Sequence, residues 1–351
     1  MEGSLPPNVR VEASNEKEEE GLLGPKRTVP DIKSRISALD FETPELLHAF
    51  ESHRSNQKRL EVVQAISGEE DILYVDGVLS EEECGGLIQA INANTSLSFW
   101  SAKGRESAET RSFRDVDTVE VNYHSLADEL TRRLESCLHV RDMLISNKRE
   151  EKVVEGKKEE EEQEEESERD MIGRWIYSRL NHDLLFSRYP PQGAFAPHTD
   201  GRSVHSFDCR SFFSVIVFLN TIPPNCGGGT RFYRNMEAIR SMRKVGNIWT
   251  SDPRLVTVEV APVAGRLLLF KQHLVHEGIP PSPPHCKYII RSDLMFERTP
   301  PLLQSEQDKE AYRIFQLAEV LSESGQIEDS IAHFRRAIKL SPILASTMGL
   351  G

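Results

Sequence analysis

The chain has 351 residues, 38% of them apolar, and a formal net charge of −13 at pH 7. This length predicts about two domains, and the apolar fraction suffices for at least one substantial core. The negative charge opposes attraction to phosphate backbones and to anionic lipid surfaces, which excludes nucleic acid and membranes as first candidates for partners.

Cysteine usage and the N-terminal sequence predict the compartment. The five cysteines stand singly, without a C-x-x-C pair, which favours reduced thiols over a disulfide framework. The first residues, MEGSLPPNVRVEASNEKEEEG, contain no apolar segment typical of a secretory signal, and no stretch is apolar for long enough to cross a membrane. We therefore expect a protein of the cytoplasm or the nucleus.

The sequence before residue 70 divides into two parts. Residues 1–42 are rich in Glu, Lys, Pro and Ser and poor in large apolar residues, so they are expected to form a flexible lead. Residues 43–69 are expected to form one or two helices. Thr43 and Pro44 suit a helix start, and apolar residues follow at helical spacing: Leu46, Leu47, Phe50, Leu60, Val63 and Ile66.

The main domain is predicted to span residues 70–299. It opens with DILYVDGVLSEEECGGLIQAI, which predicts a strand ending at Val75 and then a turn at Asp76 and Gly77. Ser80 follows as the cap of a helix whose acidic first turn suits the helix dipole. The domain is therefore expected to begin with a strand and a helix.

A charged insertion interrupts this domain at residues 148–170, which hold twelve acidic and six basic residues. Blocks of like charge are usually solvated and passive. The alternative is that the insertion is a docking element for a basic partner.

Between Trp175 and Phe296 the sequence changes to short strand-like runs separated by clusters of Pro and Gly. This pattern is typical of a sandwich or barrel built from strands. The predicted fold class is α+β, with a double-stranded β-helix, or jelly-roll, as the core and flanking helices on one side. Such a core leaves a mouth where side chains from opposing strands converge.

A histidine and an aspartate two residues apart, His198 and Asp200, occur in the run FAPHTDG. Side chains two apart on a strand point to the same face, so these two can act as adjacent ligands. His276, far downstream, would complete a set of two histidines and one carboxylate. That set suits iron(II) and leaves three coordination positions open, two for a 2-oxoacid chelate and one for O₂.

The H-x-D pair alone is weak evidence, because such a pair can equally be satisfied by hydrogen bonds at a surface. Its surroundings strengthen the metal interpretation. Tyr189, Gly193 and Phe195 precede or flank the pair, an apolar strand and the glycine-rich GGGTRF follow, and a strand then leads to the second histidine.

These motifs resemble those of the prolyl 4-hydroxylase-like 2-oxoglutarate/iron(II) dioxygenases. RYPPQGAFAPHTDG is similar to their Y-x-x-x-G-x-(Y/F)-x-P-H-x-D run, and GGGTRF, GRLLLF, LVHEG and CKYIIRSDLMF are similar to the motifs that follow. The resemblance covers about residues 70–298. It implies iron(II) held by His198, Asp200 and His276 as the catalytic centre, 2-oxoglutarate as co-substrate, and L-ascorbate as a further cofactor.

The family also has a basic residue that binds the distal carboxylate of 2-oxoglutarate, and two candidates occur here. Lys287 stands at the position where prolyl hydroxylases of this type carry Lys, whereas Arg291 offers a two-pronged guanidinium that suits a carboxylate. Motif position favours Lys287, and both stay open. By the same resemblance Tyr189 contacts the co-substrate, although a buried tyrosine bonded to a backbone carbonyl is an equal alternative.

The resemblance implies a protein or peptide substrate, with peptidyl proline as the hypothesis. Two rival hypotheses stay open. One is a dioxygenase that acts on a small metabolite or a nucleobase, and the other is a non-catalytic adaptor that retains the fold.

The C-terminal segment, residues 303–344, resembles a single tetratricopeptide repeat, which is a hairpin of two helices. One such unit cannot bury both of its faces. It is therefore expected either to pack on the main domain or to dock a protein partner.

Overall fold

The computed structural model describes residues 35–37, 44–56, 60–66, 69–93, 97–99, 106–137, 144–147 and 169–350. The expected flexible lead at 1–42 lies outside these residues except for Arg35–Ser37, which forms a strand paired with Glu120–Asn122 rather than a free segment. Of the predicted insertion at 148–170, only Arg169 and Asp170 are described.

Eight α-helices lie in the described part of the chain. They are α1 (Pro44–Asn56), α2 (Glu81–Ala93), α3 (Ala108–Phe113), α4 (His124–Cys137), α5 (Glu237–Arg240), α6 (Glu306–Glu323), α7 (Ile327–Leu340) and α8 (Pro342–Thr347). None of them has the length and apolar character needed to span a bilayer.

The strands in the described part of the chain form a twelve-stranded sheet, a four-stranded sheet and a two-stranded hairpin. They are β1 (Arg35–Ser37), β2 (Val62–Ile66), β3 (Glu69–Val75), β4 (Ser98–Phe99), β5 (Asp117–Asn122), β6 (Leu144–Asn147), β7 (Gly173–Leu180), β8 (Asp183–Tyr189), β9 (Phe195–His198), β10 (Val204–Ser206), β11 (Cys209–Phe218), β12 (Thr230–Tyr233), β13 (Arg243–Val245), β14 (Ile248–Thr250), β15 (Val256–Val260), β16 (Leu267–Lys271), β17 (His276–Gly278) and β18 (Lys287–Arg298).

The larger sheet has the order β1-β5-β8-β18-β11-β16-β3-β2, with β4, β6, β7 and β10 paired to its members, and the smaller sheet has the order β15-β12-β17-β9. Apart from β10, which pairs with β11 in the larger sheet, the strands from β8 to β12 and from β15 to β18 alternate between the two sheets. All pairs except β1 with β5 are antiparallel. This alternation is the winding expected of a double-stranded β-helix. As a result, the smaller sheet packs face to face against the middle strands of the larger sheet.

Strand periodicity explains where the two cores lie. Along β11, Phe213, Val215 and Val217 belong to a core shared with α2 and α4, while Ile216 and Phe218 belong to a second core that includes Phe232 and Val260 of the smaller sheet. Alternate side chains of a strand point to opposite faces, so one strand serves both cores. The second core forms the wall of the site described below.

The predicted opening of the domain is confirmed. Strand β3 ends at Val75, and Ser80 caps α2: its hydroxyl accepts a hydrogen bond from the backbone N–H of Glu83 at 3.1 Å, and its own N–H donates to the Glu83 carboxylate at 2.7 Å. The helix prediction for residues 43–69 holds for Pro44–Asn56 and was wrong for Val62–Ile66. That segment is rich in β-branched residues and forms a strand beside β3.

A buried arginine joins α4 to α2. Arg133 donates to both carboxylate oxygens of Glu83, at 2.9 and 2.7 Å, to Glu129 at 2.7 Å and to the carbonyl of Val78 at 2.7 Å. Neither Arg133 nor Glu83 is exposed to solvent. The interaction therefore holds the helical layer in register on the sheet.

The C-terminal residues form α6 and α7, joined through Gly325, and the short α8. Ile314, Phe315 and Leu344 share a buried cluster with Phe207 of the main domain and with Leu303. The helices therefore pack against the main domain.

Candidate metal centre

Two strands of the smaller sheet bring His198 and His276 together. In the antiparallel register of β9 and β17 the two residues are direct partners, and their ring centroids are 4.3 Å apart. Asp200 follows His198 by two residues, and its carboxylate oxygens lie 3.8 Å from Nε2 of His198 and 3.7 Å from Nε2 of His276. One donor atom from each residue lies within 4.8 Å of the others, a spacing that could hold one metal ion.

The hydrogen bonds of the two imidazoles determine which nitrogen is free to bind a metal. Nδ1 of His198 lies 2.7 Å from the carbonyl of Ala196, and Nδ1 of His276 lies 3.0 Å from the carbonyl of Leu274. A carbonyl oxygen only accepts, so each Nδ1 must carry the proton. The lone pair of each ring therefore lies on Nε2, the atom that faces Asp200.

Burial sets the charges of these three groups. Desolvation lowers the pKa of His198 to about 3, with an added effect from His276, and desolvation also lowers the pKa of His276. Burial alone would raise the pKa of Asp200, but the charge of Arg291, the two histidines when they are protonated at low pH, and the hydrogen bond from Ser214 hold it below its usual range. At neutral pH the set is two neutral imidazoles and one carboxylate, which is the donor set that a divalent metal requires.

A polar network behind the metal centre holds the carboxylate of Asp200 in place. Ser214 donates to one oxygen at 2.6 Å, and Nη2 of Arg291 lies 3.3 Å from the other. Arg291 also lies 3.2 Å from Asp293, which accepts hydrogen bonds from Ser203 at 2.5 Å and Gln272 at 2.9 Å. The guanidinium of Arg291 is thus shared between two carboxylates of the protein.

Lys287 has different surroundings, although it lies on the same strand and the same face. Its side chain is only 1% exposed, and its ammonium lies 3.8 Å from the ring centroid of Tyr189, its strand partner. Within the described residues no carboxylate lies within ion-pair distance of this ammonium. Burial lowers the pKa of Lys287 to about 7, against a smaller raising effect from Glu259.

Tyr189 forms one wall of the cavity that contains the histidines, Asp200, Lys287 and Arg291. Its ring lies against Gly278: a Cβ at that position would approach the ring to 3.1 Å and the hydroxyl to 3.2 Å. The absence of a side chain at Gly278 therefore leaves room for the Tyr189 ring at the wall of the cavity. Burial raises the pKa of Tyr189 to about 12, so its hydroxyl stays protonated.

Arg114 is a residue of this cavity that sequence reasoning missed. Its guanidinium lies 4.9 Å from the ring centroid of Phe195, and the Phe195 ring stacks on His198 at 3.6 Å. An isolated β-bridge joins Arg114 to Phe195, so its place depends on a contact between distant parts of the chain. Ser214 was missed for a simpler reason, because a serine within an apolar strand carries no distinctive signal.

The part of the sequence that contains the three candidate metal ligands matches a known family. Residues 184–292 match the model of the 2OG-Fe(II) oxygenase superfamily. The matched region includes His198, Asp200, His276 and both basic candidates, Lys287 and Arg291. No curated protein sequence matches the chain.

Solved structures similar to this chain include three prolyl hydroxylases. A viral collagen prolyl hydroxylase from Paramecium Bursaria Chlorella virus-1 is 17% identical, with 67% of this chain and 99% of that chain covered and a TM-score of 0.36. A Pseudomonas putida prolyl-4-hydroxylase is 14% identical, with 73% and 100% covered and a TM-score of 0.37. A prolyl hydroxylase from Trichoplax adhaerens, in complex with a hypoxia inducible factor peptide fragment, is 15% identical, with 73% and 94% covered and a TM-score of 0.36.

Proposed function

We propose that the chain is a 2-oxoglutarate- and iron(II)-dependent oxygenase that hydroxylates a peptidyl proline, in keeping with the family match of residues 184–292. The observation that carries the proposal is the meeting of His198, Asp200 and His276 within 4.8 Å in one buried cavity. Two neutral imidazoles and a carboxylate would fill three coordination positions of a divalent metal and would leave the others for exogenous ligands.

Nε2 of His198, Nε2 of His276 and the carboxylate of Asp200 would hold the metal, which we propose is iron(II). Bound at this site, iron(II) and 2-oxoglutarate would supply the chemistry that hydroxylates a substrate C–H bond with O₂, with succinate and CO₂ as the other products. Ser214 and Arg291 fix the orientation of the Asp200 carboxylate. L-ascorbate, implied by the family resemblance, is proposed as the reductant that maintains iron(II).

Lys287 is the proposed partner of the distal carboxylate of 2-oxoglutarate. Arg291 already contacts Asp200 and Asp293, whereas the ammonium of Lys287 faces an aromatic ring in a buried cavity. A buried cation is stabilised by an anion that enters with the co-substrate. The protonated hydroxyl of Tyr189, which lines the same cavity, is proposed as a second hydrogen-bond donor to that carboxylate.

The proline substrate is proposed from the motifs of residues 189–200 and 265–296, which resemble those of prolyl 4-hydroxylases. An oxygenase of small molecules would use the same metal centre and differ only in what enters the mouth of the cavity. A partner for the C-terminal helices stays a prediction from the sequence.

Mass spectrometry of lysate peptides tests this function. The lysate is incubated with purified protein, iron(II), 2-oxoglutarate and ascorbate, in parallel with the His198→Ala variant. We expect peptides that gain one oxygen atom on proline only with the wild-type protein. Succinate release without modified peptides would indicate a small-molecule substrate, and no succinate release under any condition would indicate an adaptor.

A further inference from the structure

The segment between β12 and β15 has a charge opposite to that of the rest of the chain. Residues 231–254 contain six basic and two acidic residues, a net charge of +4, which leaves −17 for the other residues of a chain with −13 overall. The basic residues are Arg231, Arg234, Arg240, Arg243, Lys244 and Arg254. The segment therefore carries a local positive potential in a chain that is acidic overall.

This segment is attached to the strands that carry the histidines. The N–H of Tyr233 donates to the carbonyl of Val275 at 2.9 Å, next to His276. Thr250 donates to Glu277, the residue that follows His276, at 3.0 Å. Strand β14 also packs beside β9, which carries His198. The segment therefore packs on the outer side of the two strands that carry the histidines, and it borders the metal centre without lining its cavity.

Three of the six cations have carboxylate partners within the protein. Arg231 pairs with Glu259 and Glu277, Lys244 with Glu109, and Arg254 with Asp252. The other three, which we call the rim arginines, are Arg234, Arg240 and Arg243. They are exposed, and no carboxylate of the described residues lies within 4.0 Å of their guanidinium groups.

The rim arginines are not explained by stability. Exposed charges contribute little to folding even when they are paired, and like charges in one segment repel each other. An anionic partner would bring the compensating charge. A long polyanion such as nucleic acid would be repelled at a distance by the net charge of −17 on the other residues of the chain. A short acidic segment of polypeptide is small enough to contact the rim arginines without approaching most of those residues.

We propose that the rim arginines bind carboxylate side chains that flank the oxidised residue, so that the preferred substrates are acidic segments of polypeptide. The proposal rests on the proposed function only in that the substrate is a polypeptide. Because the rim arginines are exposed, their contribution is expected to be sensitive to salt.

Fluorescence anisotropy with a labelled short peptide tests the proposal. The peptide has a central proline flanked by glutamates, and a matched peptide has glutamines in their place. Both are titrated with protein loaded with Mn²⁺ and 2-oxoglutarate. The test variant is Arg234→Glu/Arg240→Glu/Arg243→Glu. The control variant, Arg335→Glu/Arg336→Glu/Lys339→Glu, reverses three charges at exposed positions of α7.

We expect the wild-type protein to bind the glutamate peptide about tenfold more tightly than the glutamine peptide at low salt. The test variant should lose this preference, and the control variant should keep it. Equal binding of the two peptides by the wild-type protein, or equal losses in both variants, would overturn the proposal. So would tighter binding of a single-stranded oligonucleotide than of the glutamate peptide.

Binding of 2-oxoglutarate is measured in the same samples. If the co-substrate binds but the acidic preference is absent, only the rim proposal fails. If the wild-type protein binds no 2-oxoglutarate, the proposed function itself fails.

Discussion

His276 lies directly opposite His198 in the register of two paired strands, with their ring centroids 4.3 Å apart. Backbone hydrogen bonds of the smaller sheet therefore set the distance between the two imidazoles. Each ring is oriented in turn by a carbonyl two residues earlier in the chain, from Ala196 and Leu274. The strand register and these two hydrogen bonds thus fix the positions of both Nε2 atoms, which favours tight metal binding in a fixed geometry.

The first prediction concerns Lys287. Replacing it in Lys287→Met removes the proposed cation for 2-oxoglutarate and should weaken co-substrate binding about a hundredfold, since a buried charged contact contributes roughly 3 kcal/mol. Metal affinity should not change. The melting temperature without co-substrate should rise, because an ammonium no longer has to be buried. Calorimetric titration and thermal unfolding measure these effects.

Arg291→Met is the matched comparison on the same face of β18. It removes the cation shared by Asp200 and Asp293, the latter 1% exposed. We expect weaker metal binding and a lower melting temperature, because a buried carboxylate loses its counter-charge. If Arg291→Met loses 2-oxoglutarate while retaining metal affinity and stability, and Lys287→Met binds normally, Arg291 is the co-substrate anchor.

The second prediction is the pH dependence of co-substrate binding. The pKa of Lys287 is lowered by burial to about 7, and the distal carboxylate requires the protonated ammonium. Below pH 7 the ammonium is present and the dissociation constant should be flat. Above pH 7 binding must take up a proton, so the constant should rise toward about tenfold per pH unit.

Titration of Mn²⁺-loaded protein with 2-oxoglutarate between pH 6 and 9 measures this dependence. The Lys287→Arg variant keeps its charge throughout this range and should give a flatter profile. A wild-type profile that is flat to pH 9 would show that no titrating lysine binds the co-substrate.

The third prediction concerns the helical layer. Arg133→Met leaves the fully buried Glu83 without its cation and should lower the free energy of unfolding by about 3–5 kcal/mol. Arg132→Met removes a neighbouring arginine that is 48% exposed and pairs with Glu129, and it should cost less than about 1 kcal/mol. Urea unfolding of both variants gives the comparison. Equal losses would mean that burial of the ion pair is not what matters.

Much of the site was predictable from the sequence because its signals are local. The H-x-D spacing of His198 and Asp200 places both on one face of an extended segment, and glycine- and proline-rich turns mark the strands that lead to His276. The choice between Lys287 and Arg291 could not be made in this way. The two residues share a face of β18, and what distinguishes them is contact with Asp200 and Asp293 in one case and with Tyr189 in the other.

The mistaken helix shows a different limit of sequence patterns. Leu60, Val63 and Ile66 are three residues apart, which imitates helical spacing. The segment instead pairs with the edge of β3, with Val62 opposite Val75 and Val63 opposite Tyr74. Pairing with β3 determines the conformation of this segment more strongly than its short periodic pattern does. The backbone hydrogen bonds that the edge of β3 offers cannot be read from the local sequence.

The central claim is that His198, Asp200 and His276 hold one metal ion to which 2-oxoglutarate binds. Anaerobic titration of the protein with iron(II) and 2-oxoglutarate, followed by the visible charge-transfer absorption of the iron and 2-oxoacid chelate, tests it most directly. The wild-type protein and the control His273→Ala, an exposed histidine three residues before His276, should both develop the band with one iron per chain. His276→Ala should not. A wild-type protein without the band, or a His276→Ala variant that develops it equally, would contradict the claim.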